Sequence, residues 1–160
     1  MADEVRIEVV PETRVAYMRF VGPYGSPRIA DLWQRFVFWC MRQRLTSPPR
    51  RMFGIAQDNP DITPPNRTRY DACIEVGADF QPRDEVGVQT ISGGRYACVR
   101  FRGTAPEIRA AWMRFLTRSL PDANLQPDLG PMIEIFEPDF APDPRTGAFT
   151  CLLCAPLRSA

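Results

Sequence analysis

Glu134 is the residue whose setting most invites a chemical reading. It stands within "GPMIEIFEPDF" (130–140), where Met132, Ile133, Ile135 and Phe136 are apolar and suit a strand. Side chains alternate along a strand, so Met132, Glu134 and Phe136 share one face and the two isoleucines the other. If the isoleucines face the core, Glu134 faces water or a cavity. Between apolar walls a carboxylate is costly until a cation or hydrogen-bond donor meets it, and burial raises its pKa. Glu75 in "ACIEVG" and Glu8 in "RIEVV" show the same alternation and read as solvated acids.

The rest of the composition narrows the chemistry. The chain of 160 residues has no histidine, and its 20 basic residues are all arginine. Ser-His-Asp and Cys-His nucleophile systems, His-ligated zinc and Schiff-base lysines are therefore excluded. Acid–base work would fall to carboxylates, Tyr, Cys or water. The five cysteines are an odd number and lie mostly in apolar, strand-like runs, as small hydrophobes in a reducing compartment do. Cys151 and Cys154, three apart in "CLLC", would point to opposite faces of a strand, which suits neither a zinc knuckle nor a redox pair. No metal or cofactor is expected. A net charge of +1 gives no electrostatic footprint for nucleic acid. There is no apolar run long enough to span a membrane, and "MADEVRIEVV" lacks the start of a signal peptide. The expectation is a soluble, cytosolic protein.

The chain repeats itself, and the repeat predicts the elements that must hold these residues. "VRIEVVPETRVAYMRFVGPYGSPRIADLWQRF" (5–36) matches "VGVQTISGGRYACVRFRGTAPEIRAAWMRF" (86–115) at Arg14/Arg95, Ala16/Ala97, Phe20/Phe101, Gly22/Gly103, Trp33/Trp112 and Phe36/Phe115, among others. "NRTRYDACIEV" (66–76) and "PRTGAFTCLLC" (144–154) share Arg, Thr and Cys. One domain over 1–160, built from copies at 4–78 and 84–157, follows; two copies are fewer than the ~3 that a solenoid needs. Each copy predicts two strands, a helix and two more strands: 5–10, 14–21, 52–57 and 70–76, then 85–91, 95–102, 132–137 and 148–155. "PET" and "SGG" form the turns between the first two strands. Ser26 with Pro27 starts the first helix; Thr104 with Glu107 forms a capping box for the second, and Pro121 ends it. The Pro-rich stretches "DNPDITPPN" and "PDFAPDP" are loops. The fold class is α+β: an antiparallel sheet with helices on one side and a central groove between pseudo-twofold halves. The run "FVFWCM" (36–41) is apolar nearly all round, so Val37, Phe38, Trp39 and Met41 need a second neighbour. That neighbour is the other repeat, a dimer partner, or the interior of an aromatic pocket.

By these residues the chain resembles the GyrI-like family: bacterial DNA gyrase inhibitor proteins and the effector-binding domains of AraC-type and related regulators. "GIAQDNPDITPPNRTRYDACIEV" (54–76), "ISGGRYACVRFRG" (91–103) and "PMIEIFEPD" (131–139) carry the resemblance, in order along nearly the whole chain. It implies two pseudo-symmetric halves around a shared groove. Regulators of this family add a helix-turn-helix domain; this sequence shows no such motif and resembles the stand-alone members.

The resemblance also bears on Glu134. That residue matches the glutamate at the base of an aromatic pocket that faces cationic ligands in drug-sensing members. Phe136 departs from the pattern, because the family commonly has Tyr there; the apolar wall survives and the phenol is lost. The expected ligand is a small aromatic or cationic molecule, held by Glu134 and Phe136 with Tyr17, Tyr24, Trp39 and Tyr96 lining the groove. Trp33 and Trp112 read as core anchors, and Tyr70 and Asp71 as strand-edge structure. Two alternatives come with the resemblance: hydrolysis of strained cyclopropane-type genotoxins with Glu134 as the catalytic group, and an inhibiting or protecting interaction with DNA gyrase.

Overall fold

Among the described residues, eight strands and two principal helices follow one another as β1 (Arg6–Val10), β2 (Thr13–Val21), α1 (Arg28–Arg42), β3 (Met52–Ala56), β4 (Arg69–Glu75), β5 (Gly87–Ile91), β6 (Gly94–Gly103), α2 (Ala105–Arg114), β7 (Met132–Phe136) and β8 (Phe149–Pro156). The computed structural model describes residues 4–138 and 141–158, so residues 139 and 140 of the Pro-rich stretch after β7 lie outside the description. Strand ends agree with the sequence expectation to within two residues. At the start of α1, the Arg28 N–H donates to the Ser26 hydroxyl at 3.1 Å, and Pro27 already has helical dihedrals. At the start of α2, the Glu107 carboxylate accepts from the Thr104 N–H at 2.9 Å. Pro121 does not end this helix. After Arg114 the chain continues through a π-helical turn, Phe115–Ser119, into Leu120–Asp122. The wider turn leaves room for a proline ring that a regular α-helix would push against the carbonyl four residues back.

All strands form one antiparallel sheet in the order β1-β6-β8-β7-β3-β4-β2-β5. The sequence suggests that β1 and β2, joined by Pro11 and Glu12, would be neighbours. They are not: β1 pairs with β6 and β2 with β5. Strands β1 and β2 sit six places apart, which in a flat sheet is roughly 29 Å at ~4.8 Å per strand. Two linking residues reach only about 10 Å. The sheet must therefore curl until its ends meet, and Ser92–Gly93 between β5 and β6 imposes the same closure. Val10 on one edge strand and Ile91 on the other accordingly share one buried cluster with Val15, Tyr96, Ile55 and Ile133 on the helix-free face.

The other face carries the helices. Leu32, Phe36 and Cys40 of α1 pack with Ala16, Met18, Tyr70, Ala72 and Ile74. Ala111 of α2 and Phe115 beyond it pack with Ala97, Val99, Phe101, Phe136 and Leu153. Trp33 and Met52 touch both clusters and join them across the middle. Of the all-round apolar segment in α1, Trp39 stacks on Phe36 and meets Phe80 edge-on, whereas Phe38 and Met41 are 61% and 59% exposed. The five cysteines are buried and free. Cys151 and Cys154 do face opposite ways, into different clusters. Among the described residues no helix is long and apolar enough to cross a membrane.

Asp71 corrects the strand-edge expectation. Its strand, β4, lies inside the sheet between β3 and β2, and Asp71 is fully buried. The carboxylate accepts Arg19 Nε at 2.8 Å and Nη2 at 2.9 Å, and also Gln57 at 2.9 Å and Gln89 at 2.8 Å. Four charge-assisted or amide donors offset its desolvation. Asp71→Asn should remove the charge that Arg19 needs and lower stability by about 3 kcal/mol, read as a reduced urea midpoint with unchanged slope.

Candidate functional site

Strand β3 meets β7 at the centre of the sheet, in the register Met52↔Phe136, Gly54↔Glu134 and Ala56↔Met132. Glu134 and Gly54 thus face each other at the midpoint of this seam. Period-two alternation turns Glu134 to the helix-bearing side, with Ile133 and Ile135 in the cluster opposite. Both faces being covered, Glu134 is only 8% exposed. The choice between water and a cavity, drawn from alternation alone, assumed one wet face; α1 and α2 remove it.

The carboxylate is met by two neutral donors. The Tyr70 hydroxyl, from β4, donates to Oε1 at 2.6 Å, and the Trp112 indole N–H, from α2, donates to Oε2 at 3.1 Å. The Trp33 indole N–H, from α1, donates to the Tyr70 oxygen at 3.0 Å. Both helices therefore reach one carboxylate, one directly and one through a phenol. Phe136 closes the group, its ring edge-on to Trp33 at 5.3 Å between centroids. Burial raises the Glu134 pKa above its ordinary value near 4.5, while the hydrogen bonds from Tyr70 and Trp112 pull it back. Burial, followed by the neighbouring Glu134 carboxylate, pushes the Tyr70 phenol well above its usual range.

Gly54 makes this arrangement possible. A Cβ there would collide with both the Tyr70 hydroxyl and Glu134 Oε1. The glycine is required for space, since the backbone at this position is ordinary strand.

The residues singled out from sequence are not gathered in one place. Glu134 and Phe136 are together. Tyr17 and Tyr96 pack on the helix-free face, across the sheet from Glu134. Tyr24 accepts the Asp58 N–H at 2.9 Å and donates towards the Asp58 and Arg69 carbonyls, bracing the loop before β4. Trp39 lies in the last turns of α1, where its N–H donates to Asp84 at 3.0 Å. Trp33, Trp112, Tyr70 and Gly54 surround the carboxylate instead. The repeat-related tryptophans were visible as a pair, and a buried indole N–H needs an acceptor. No local signal linked them to a glutamate on another element. Two cavities of about 700 and 680 Å³ open elsewhere on the molecule, and Glu134 lines neither.

A curled antiparallel sheet with two helices on one face is the fold of an effector-binding type of domain. Residues 3–158 match the GyrI-like small molecule binding domain, and the chain belongs to that family. It is 30% identical over 143 residues to the DNA gyrase inhibitor of Serratia proteamaculans (strain 568), covering 87% of this chain and 90% of that protein. Among solved structures, the EcmrR C-terminal domain superposes with a TM-score of 0.71 at 13% identity, with all of both chains covered. SAV2435 bound to tetraphenylphosphonium superposes with a TM-score of 0.63 at 13% identity, covering 98% of this chain and 94% of that one. At these identities the structures establish the shared fold.

Two measurements check the geometry of the seam. Gly54→Ala should displace the Tyr70–Glu134 hydrogen bond and cost about 1–3 kcal/mol, as overpacking of a filled interior does; urea titration reads it. The raised Glu134 pKa favours the protonated folded state, so its stabilising contribution is complete below the ordinary glutamate value. It is lost as pH rises through the raised one. Wild-type stability should therefore fall across that window relative to Glu134→Gln, which has no proton to lose there; parallel melts of the two proteins through the window test the sign.

Proposed function

We propose that the protein binds a small aromatic or cationic molecule between α1 and α2, with Glu134 as its charged contact. The observation that carries this reading is a carboxylate at 8% exposure that, among the described residues, is met by two neutral donors and no cation. An unpaired buried charge is costly, and a bound cation relieves that cost directly. Trp33, Trp112 and Phe136 supply ring faces for stacking and cation–π contact around it. The side chains are closed over Glu134 in this structure, so a ligand enters by parting the two helices, and the hydrogen bonds from Trp33 and Trp112 are the contacts that yield. The tetraphenylphosphonium seen on SAV2435 is a lipophilic aromatic cation of the class expected here.

The Tyr70–Glu134 hydrogen bond favours hydrolysis as a second reading. Glu134, whose pKa burial raises, can carry a proton and deliver it to the atom released when a strained ring opens. Water adds at the carbon, and its surplus proton returns to the carboxylate. Tyr70, held by Trp33, orients the acid. As a third reading, kinship with a DNA gyrase inhibitor makes gyrase a candidate protein partner.

Thermal melts with tetraphenylphosphonium on wild type and Glu134→Gln separate these. Ligand at ~100 times its dissociation constant adds about 2.7 kcal/mol. For a chain of this size the midpoint should rise by roughly 5–11 °C in wild type and clearly less in the variant. Equal shifts would remove Glu134 from the site. A cyclopropane substrate that gains one water with wild type, yet only binds to Glu134→Gln and Tyr70→Phe, would establish the hydrolase reading. Altered gyrase supercoiling without any small molecule would establish the protein partner.

A further inference from the structure

The two halves of the sheet treat the helix-free face differently, and the strand register shows where. Arg19 pairs with Asp71 between β2 and β4, and Arg100 with Leu152 between β6 and β8. Tyr17 pairs with Gly87, and Cys98 with Arg6. Val15 pairs with Gln89, and Tyr96 with Glu8. Gln57 and Glu137 each follow the last residue of the seam strands β3 and β7. Arg100, Leu152, Glu8 and Glu137 therefore stand where Arg19, Asp71, Gln89 and Gln57 stand in the other half.

In the first half this place is filled. Asp71 takes both arms of Arg19, and the Gln57 and Gln89 amides converge on its second oxygen. The Arg19 guanidinium lies 5.2 Å from the Tyr17 ring centre, and that ring occupies the space above Gly87. In the second half the arginine is kept as Arg100 and the groups around it are exchanged. Leu152 offers no carboxylate, Cys98 no ring, and the two amides become carboxylates. The result is a cavity of about 700 Å³ whose lining includes Glu8, Arg100, Ile135, Glu137 and Leu152, together with Glu4, Arg6 and Arg102. Arg102 donates to Thr150 at 3.2 Å, Arg6 lies 3.7 Å from Glu4, and Glu137 lies 3.6 Å from Arg51 in an exposed pair. Among the described residues nothing provides Arg100 with an acceptor.

We infer that this cavity is a second ligand site, for a small zwitterion carrying a carboxylate and an ammonium, as an amino acid or a dipeptide does. The ligand carboxylate takes on Arg100 the part that Asp71 takes on Arg19. Its ammonium sits between Glu8 and Glu137, at the point where Gln57 and Gln89 meet in the first half. Ile135 and Leu152 form the apolar floor. The three arginines and three glutamates of the lining balance, so the cavity favours a molecule with both charges over a simple anion or cation. The site lies across the sheet from Glu134 and is independent of what binds there.

Isothermal titration of the full chain with free amino acids and dipeptides tests this, beside N-acetyl amino acids and amino-acid amides, which each lack one charge. At least one free zwitterion should bind, with blocked analogues weaker by roughly tenfold or more, the loss expected for one charge-assisted contact. Whether amino acids or dipeptides bind better identifies the source. Arg100→Gln, at an exposed position, should weaken zwitterion binding by a similar factor while leaving the melting shift with tetraphenylphosphonium unchanged. Leu152→Asp should restore the internal pair of the first half and abolish binding. Absence of binding by every zwitterion, equal binding of the blocked analogues, or undiminished binding in Arg100→Gln would overturn the proposal, whether or not Leu152→Asp folds.

Discussion

Two short connections constrain everything else in this molecule. Pro11–Glu12 and Ser92–Gly93 each join strands that lie six places apart in the sheet. Such a link cannot cross a flat sheet, so the sheet curls and each half borrows its first strand from the other. The curl buries the helix-free face on itself and leaves the opposite face for α1 and α2. It also leaves β3 and β7 paired at the centre, with four strands on each side of their seam. A group at the midpoint of that seam is reached from both helices.

A near-symmetric frame then carries unlike occupants. At the seam midpoint the two strands face each other, and two large side chains cannot share that space. Glu134 takes it and Gly54 yields it. Tyr70 and Cys151 stand at corresponding places in β4 and β8, and only Tyr70 supplies a hydroxyl to the carboxylate. Asp71 and Leu152 correspond in the same way on the other face. The common backbone positions the groups, and the differences between the halves set their chemistry.

Much of the frame was legible in the sequence because it rests on local rules. Alternating runs bounded by Pro and Gly placed the strands, and a helical period placed the helices. Caps at Ser26 and Thr104 fixed the helix starts. The unusual placing of Glu134 in an apolar run was also legible. Phe136 beside it was legible too, but the donors around it and Gly54 were not. Tyr70 reads as an ordinary strand tyrosine, and its link to a residue 64 positions away exists only through the register of β3 between β4 and β7. Tyr17 and Tyr96 carry the right chemistry for a pocket and lie on the wrong side of the sheet from Glu134. Pro121 obeys the local rule for a helix stop, yet a π-turn immediately before it relieves the clash that the rule assumes.

The sequence by itself determined the element types, their order, the repeat in their pattern and the presence of a carboxylate where an apolar residue was due. These depend on neighbours a few positions apart. Tertiary structure decided which strands pair, that both faces of β7 are covered, and which donors meet Glu134. It also decided that Arg19 is closed by Asp71 while Arg100 opens onto a cavity. These depend on contacts between distant segments, which form only when the short turns force the sheet to curl.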